Sequence, residues 1–236
     1  VPSDRSYHVV LDGVETDLRN GTLAPGDRLP GERALAEKYG ISRASVREAI
    51  RVLDTIGLVR SSVGSGPASG AVLVSEPATG MARALRLHMA ARNLPLDDIV
   101  QTRQLLEGWA ARGAADRVAG HGTDAPELAE AEELLARMEA ADVDRVEFHV
   151  LDSRFHLAVS ALAGNVVVST VMDSLRETIR DYVMGAFSDL ANWSEVAGTL
   201  RQQHRGILDA VRAGDGDAAE QLAREHIAWF VERAVR

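Results

Sequence analysis

The 236-residue sequence contains no cysteine, which excludes disulfide bonds and thiolate metal sites and suits a reducing compartment. Aromatic residues are scarce, with three Trp, three Tyr and four Phe, so the cores must be built mainly from Leu, Val, Ile and Ala. No apolar run approaches the roughly 20 residues that a membrane-spanning helix needs, and no signal-peptide pattern opens the chain. A cytoplasmic location without a membrane partner is therefore expected. Positive charge is also in short supply: the formal net charge is −9, at first sight wrong for a nucleic-acid binder. Residues 1–74, however, carry nine Lys+Arg and nine Asp+Glu, so the whole acidic excess falls on residues 75–236. A neutral first part can still grip phosphate if its arginines share one face.

The hydrophobic content of 46% is enough for one large or two small domains. Residues 5–20 read as a helix with Val9, Val10, Val14 and Leu18 on one side, stopped by Gly21 and then Pro25-Gly26. A short helix spans 32–39 and closes at Gly40. Ser42 then reads as the N-cap of a helix to about residue 56, with Val46, Ala49, Ile50, Leu53 and Ile56 forming its apolar stripe. Two β-type runs, 58–62 and 71–75, flank a Gly/Pro/Ser turn. Three helices and a hairpin make a winged helix-turn-helix over residues 1–75. Residues 76–80 read as a linker. Beyond it, residues 81–236 show only helical signals, with helices placed near 81–93, 97–119, 125–141, 145–163, 166–190, 194–213 and 217–235. The fold class is mostly α, a winged helix-turn-helix followed by an all-helical bundle of six to seven helices.

In the first domain, the second helix of the helix-turn-helix carries Arg43 and Arg47 in its N-terminal turns, where a recognition helix presents side chains to the major groove. Ser42 and Ser45 are short enough to let phosphate approach the helix N-terminus. Arg33 begins the preceding helix and would lie across the DNA backbone. Gly64 and Gly66 permit a tight wing tip able to reach the minor groove. The competing reading of these arginines is a solvated helix face; the combination with the glycine wing favours DNA.

The segments Leu29-Pro30-Gly31-Glu32-Arg33-Ala34-Leu35-Ala36 and Ile41-Ser42-Arg43-Ala44-Ser45-Val46-Arg47-Glu48-Ala49-Ile50 resemble the winged helix-turn-helix of the GntR superfamily. The remainder of the chain resembles the ligand-binding domain (FCD) of its FadR-like branch. Gly31 departs from the family, which usually has Ser there as an N-cap; Gly costs only a few tenths of a kcal/mol in that role. The resemblance implies a metabolite-responsive transcription regulator, in particular a repressor, that binds a short palindromic operator in double-stranded DNA as a homodimer and has no enzymatic activity.

Seven histidines are present. Asp152 and His156 stand at i and i+4 on one helix face, and His204 and His226 lie in separate later helices. One carboxylate and three imidazoles form a reasonable set for a divalent transition metal, Zn²⁺ first, with Ni²⁺, Mn²⁺ or Fe²⁺ also open. Spacing alone leaves hydrogen-bonded core or surface histidines as the alternative, with His149 as a rival ligand. The family resemblance implies the four residues Asp152, His156, His204 and His226, matched position by position. It also implies that Arg103 points into the cavity and pairs with the carboxylate of an effector; the alternative is a surface i,i+4 pair with Glu107. The run from Thr102 to Ala111 and the wing Gly64-Ser65-Gly66-Pro67 further resemble lactate-utilisation regulators, which puts lactate first among small carboxylate effectors. A metal-free regulator that answers an acyl ligand, and a metal-dependent enzyme, are the rival readings.

Overall fold

The computed structural model of the chain describes residues 7–62, 70–74, 77–91, 93–140, 142–188 and 193–234. It divides into two compact units, Val1–Met81 and Ala82–Arg236.

The first unit contains α1 (His8–Arg19), α2 (Glu32–Tyr39), α3 (Arg43–Thr55), β1 (Val59–Ser62) and β2 (Gly70–Leu73). Gly40 ends α2 in the left-handed region at φ +64°, where a side chain would be strained, and so allows the tight turn into α3. Ser42 caps α3: its hydroxyl accepts from the Ser45 amide at 3.1 Å. The buried face of α3 is Val46, Ala49 and Leu53. Ile56 lies beyond that face, 51% exposed at the C-cap, so the apolar stripe ends one turn earlier than the sequence pattern indicates. Strands β1 and β2 pair antiparallel with Val59 opposite Leu73, and Arg28 bridges to Val72 from the preceding segment. Val10, Val14, Leu29, Leu35, Leu53, Val59 and Leu73 close the core. Each such burial is worth about 1.5–3 kcal/mol relative to exposure, which holds α3 with its arginine face outward.

Seven helices follow among the described residues: α4 (Pro77–Ala90), α5 (Leu96–His121), α6 (Pro126–Met138), α7 (Arg145–Leu162), α8 (Val166–Ser188), α9 (Trp193–Arg212) and α10 (Gly216–Ala234). Most bounds fall within a few residues of the sequence reading. The exception is residues 77–80, which read as linker but form the first turn of α4. Proline is well suited to an opening turn because its missing N–H would be unsatisfied there anyway, so a Pro-Ala-Thr-Gly run of loop-like composition is compatible with helix. Helix α5 is buried on several sides, through Ile99, Val100, Ala110, Ala111, Ala114, Ala115 and Val118. Its alanines let α7, α9 and α10 approach closely, and Phe148, Phe155, Leu162, Leu200 and Ile207 fill the space around it. No helix among the described residues is long and apolar enough to cross a membrane.

Candidate nucleic-acid interface and metal centre

On the first unit, the outward face of α3 carries Arg43 and Arg47 with side chains 65% and 58% exposed. Glu32, the first residue of α2, sits between them, its Oε2 3.7 Å from Arg43 Nη2 and 3.4 Å from Arg47 Nε. Exposed pairs of this kind contribute about 0–1 kcal/mol, so either arginine can exchange Glu32 for a phosphate or a base edge at little cost. Arg33 is more exposed still and lies 3.8 Å from Glu37. Ser42 and Ser45 share a hydroxyl contact of 2.9 Å at the helix N-terminus. Five of the six expected DNA contacts thus cluster around the start of α2 and α3. The sixth, Gly64, lies outside the described residues. The sequence reading did not single out Glu32, although it stands directly before Arg33.

In the second unit, α7 contributes Asp152 and His156, α9 His204 and α10 His226. Asp144 caps α7 by accepting from the Glu147 amide at 2.8 Å, and from that start the helix turns Asp152 and His156 to the same side. Ligand atoms of the four residues lie within 4.8 Å of one another. His156 Nε2 is 3.1 Å from His226 Nε2 and 3.2 Å from His204 Nε2. Asp152 Oδ1 is 3.0 Å from His204 Nε2 and 3.7 Å from His156 Nε2. The three imidazoles are buried.

The hydrogen bonds around this cluster test whether a cation fits. His156 Nδ1 lies 2.8 Å from Glu107 Oε2, and His226 Nδ1 lies 2.9 Å from Gln203 Oε1. Both partners are acceptors, so each Nδ1 carries the proton and each Nε2 presents a lone pair. Two lone pairs facing at 3.1 Å cannot bond to one another, whereas a cation between them would convert the repulsion into ligation. For metal–nitrogen distances near 2.0–2.1 Å, ligand nitrogens stand about 2.9–3.4 Å apart, which matches the spacing of these nitrogens. Among the described residues, His204 Nδ1 is buried without a hydrogen-bond partner. The donor set fits a divalent transition metal.

Electrostatics point the same way. Burial holds His156 below the ordinary imidazole value, helped by Arg176, and holds His226 well below it, helped by His204 and His156. Both rings are therefore neutral, the form that binds metal. Burial alone would raise the Asp152 carboxyl, but the His204 hydrogen bond, Arg176 and His156 outweigh it and bring it well below its usual range.

Behind the cluster lies a charged network. Arg103 Nε and Nη2 donate to Glu107 Oε1 at 2.8 and 2.7 Å. Arg176, from α8, donates to both Glu107 oxygens at 3.2 and 3.3 Å and to Asp152 Oδ2 at 2.7 Å. Burial would raise the Glu107 carboxyl, yet Arg103, His156 and Arg176 together pull it well below its ordinary range. Arg103 does pair with Glu107, but both are buried, so the pair is not the surface contact weighed in the sequence. Arg103 also lines a cavity of ≈ 510 Å³ together with His149, Asp152, Arg176 and His226. His149 itself is half-buried in that wall rather than among the clustered ligands.

Arg176, Gln203 and the task of Glu107 were missed in the sequence. A signal was present for two of them. Met172, Leu175 and Ile179 are buried on α8, and Arg176 occupies a slot in that same i, i+3, i+4, i+7 stripe. Glu107 likewise sits in the buried stripe of α5 between Arg103 and Ala111. A charge in an apolar slot must be paired.

Comparison with known proteins agrees with this division. Residues 6–67 match bacterial regulatory proteins of the gntR family, and residues 98–228 match the FCD domain. The Glc operon transcriptional activator of Escherichia coli (strain K12) is 28% identical over 222 residues, covering 93% of this chain and 85% of that protein. The galactonate operon transcriptional repressor of the same strain is 30% identical over 221 residues, covering 91% and 90%. The relatives also include a protein named for the L-lactate dehydrogenase operon, at 27% identity. Among solved structures, a GntR protein of Streptococcus agalactiae superposes with a TM-score of 0.69 at 24% identity, covering 98% of this chain and all of that one; this likeness carries the fold.

Proposed function

This chain belongs to the GntR family of bacterial regulatory proteins with an FCD domain, a family of DNA-binding transcription regulators and not of enzymes, and on that premise we propose that it is a homodimeric repressor whose operator binding is controlled by a small carboxylate. Asp152, His156, His204 and His226 hold a divalent transition metal, with Zn²⁺ the first candidate because four N and O donors suit it. The metal would supply a Lewis-acidic anchor for a carboxylate or hydroxyl oxygen. Arg103 and Arg176, at the wall of the same cavity, offer guanidinium donors for the rest of the carboxylate. Lactate is the first effector to test, from the Thr102–Ala111 resemblance and a relative named for the L-lactate dehydrogenase operon.

In the first unit, Arg43 and Arg47 would read bases in the major groove or grip phosphate, while Arg33, Ser42 and Ser45 meet the backbone and Gly64 permits a wing tip that reaches the minor groove. A single recognition helix reads too few bases for useful specificity, so two copies on a palindrome are required.

The observation that carries the reading is the pair of imidazole Nε2 atoms facing each other 3.1 Å apart beside two buried arginines. The experiment is selection of operator sequences from random duplex DNA, followed by titration of the complex with lactate. Palindromic sequences, released by lactate from Zn²⁺-loaded protein but not from chelator-stripped protein, are expected. Tighter operator binding on adding lactate would make the protein an activator or co-repressed regulator; no effect of metal would overturn the metal reading.

A further inference from the structure

Four cations of the first unit each face an acid of their own. Arg19 lies 2.6 Å from Glu15, Lys38 2.8 Å from Asp17, Arg33 3.8 Å from Glu37 and Arg51 3.9 Å from Glu48. Arg43 and Arg47 share one instead, and among the described residues neither has another ion pair. Glu32 Oε2 stands 3.7 Å from Arg43 Nη2 and 3.4 Å from Arg47 Nε. Glu32 is half-buried in the first turn of α2, where Gly31 supplies no side-chain cap. An acid in that turn gains from the unpaired amides of the helix N-terminus, but that gain needs no contact with a second helix.

The effect of the carboxylate depends on what the two arginines meet. A guanine edge offers two neutral acceptors, O6 and N7, whereas a phosphate brings a full negative charge. Arg47 turns Nε towards Glu32, which leaves the Nη1–Nη2 edge of the guanidinium for a guanine. A phosphate on either guanidinium would share that cation with Glu32, and the two anions would repel.

We propose that Glu32 is a specificity-determining residue: placed between Arg43 and Arg47, its charge opposes phosphate at these two side chains and so directs them to neutral base edges. The inference rests on the reading of α3 as the recognition helix. Non-specific binding comes almost wholly from phosphate contacts, so the carboxylate weakens it while sparing the operator.

The test is fluorescence anisotropy of the full chain on an operator selected from random duplex DNA and on a scrambled duplex of the same length, over a range of salt concentrations. Glu32→Gln should tighten binding to the scrambled duplex about two- to fivefold and steepen its dependence on log salt by up to about one unit. Operator affinity should not rise, so the ratio of the two affinities falls. Glu32→Asp keeps the charge and should restore the wild-type salt dependence. Glu15→Gln, which removes the same charge from α1, should leave the ratio unchanged. Equal tightening on both duplexes, an unchanged salt dependence, a Glu32→Asp variant that behaves as Glu32→Gln, or the same fall in ratio in Glu15→Gln would overturn the role of Glu32 while leaving the recognition helix intact. Failure of the wild-type chain to select any sequence would overturn both.

Discussion

His156 Nδ1 lies 2.8 Å from the Glu107 carboxylate, and through this contact the buried arginines are linked to the histidine cluster. The same carboxylate receives Arg103 and Arg176, so Glu107 fixes the His156 tautomer while neutralising cations that line the cavity. An outer partner of this kind raises ligand basicity and holds ring orientation. Glu107→Gln is expected to weaken Zn²⁺ binding about 10–100-fold, read by chelator competition at neutral pH. It also leaves two buried guanidiniums short of one negative charge, so melting temperature should fall as well. Gln203→Ala, which removes only the acceptor of His226, should lower affinity without that large loss of stability. Unchanged Zn²⁺ affinity in both variants would show that neither partner orients its ring.

Acid should destabilise the metal-free protein first and release the metal from loaded protein at lower pH. The imidazoles of His156 and His226 are held below their ordinary value of 6.5 by burial, while in the unfolded chain they titrate near it. Above that pH both are neutral in either state. As pH falls below it, the unfolded chain takes up protons first and stability declines until the folded-state values are passed. Metal-free protein should therefore lose melting temperature progressively below about pH 6.5, and loaded protein should resist to lower pH before releasing its ion. A flat melting profile of the metal-free protein between pH 7 and pH 5 would contradict the neutral buried histidines.

Much of this arrangement can be read from residue pattern. Helix ends were legible because local chemistry marks them: Asp144 caps α7, and Gly164 and Gly214 take positive φ where helices finish. Asp152 and His156 could be paired because i,i+4 spacing is a property of a single helix. Their meeting with His204 and His226 depends on how α7, α9 and α10 pack, and only the family resemblance anticipated it. Arg176 and Gln203 escaped notice because their partners are 24 and 23 residues away. The first turn of α4 is not legible for the opposite reason: its composition is loop-like, although a proline suits an opening turn.

Replacing both Arg43 and Arg47 by Ala should abolish specific operator binding. Either single change should cost about 1–3 kcal/mol if the side chain reads a base, and should reduce the salt dependence if it grips phosphate. The measurement is fluorescence anisotropy on a selected operator at several salt concentrations. Since both side chains are exposed, folding should be unaffected, and circular dichroism checks this. Wild-type affinity in the double variant would remove α3 from the DNA interface.

Arg103→Ala should abolish the response to a carboxylate while leaving operator affinity intact, because the residue lies in the second compact unit. Its loss strips one of two guanidiniums from Glu107, so some fall in melting temperature is expected in addition. Arg103→Lys separates the roles: it retains the charge beside Glu107 but lacks the planar fork for bidentate capture. Stability should recover in the lysine variant while effector affinity does not. Full effector response in Arg103→Ala would return the residue to a purely structural pair.

Elemental analysis of protein purified without chelator, alongside Zn²⁺ titration of stripped protein, tests the metal centre most directly. The prediction is one divalent ion per chain in the wild type, and its loss in His204→Ala and in His226→Ala, with the helical content retained. A wild-type chain that neither carries nor takes up a stoichiometric divalent ion, or variants that bind it as tightly as wild type, would contradict the account and leave the three histidines as core packing alone.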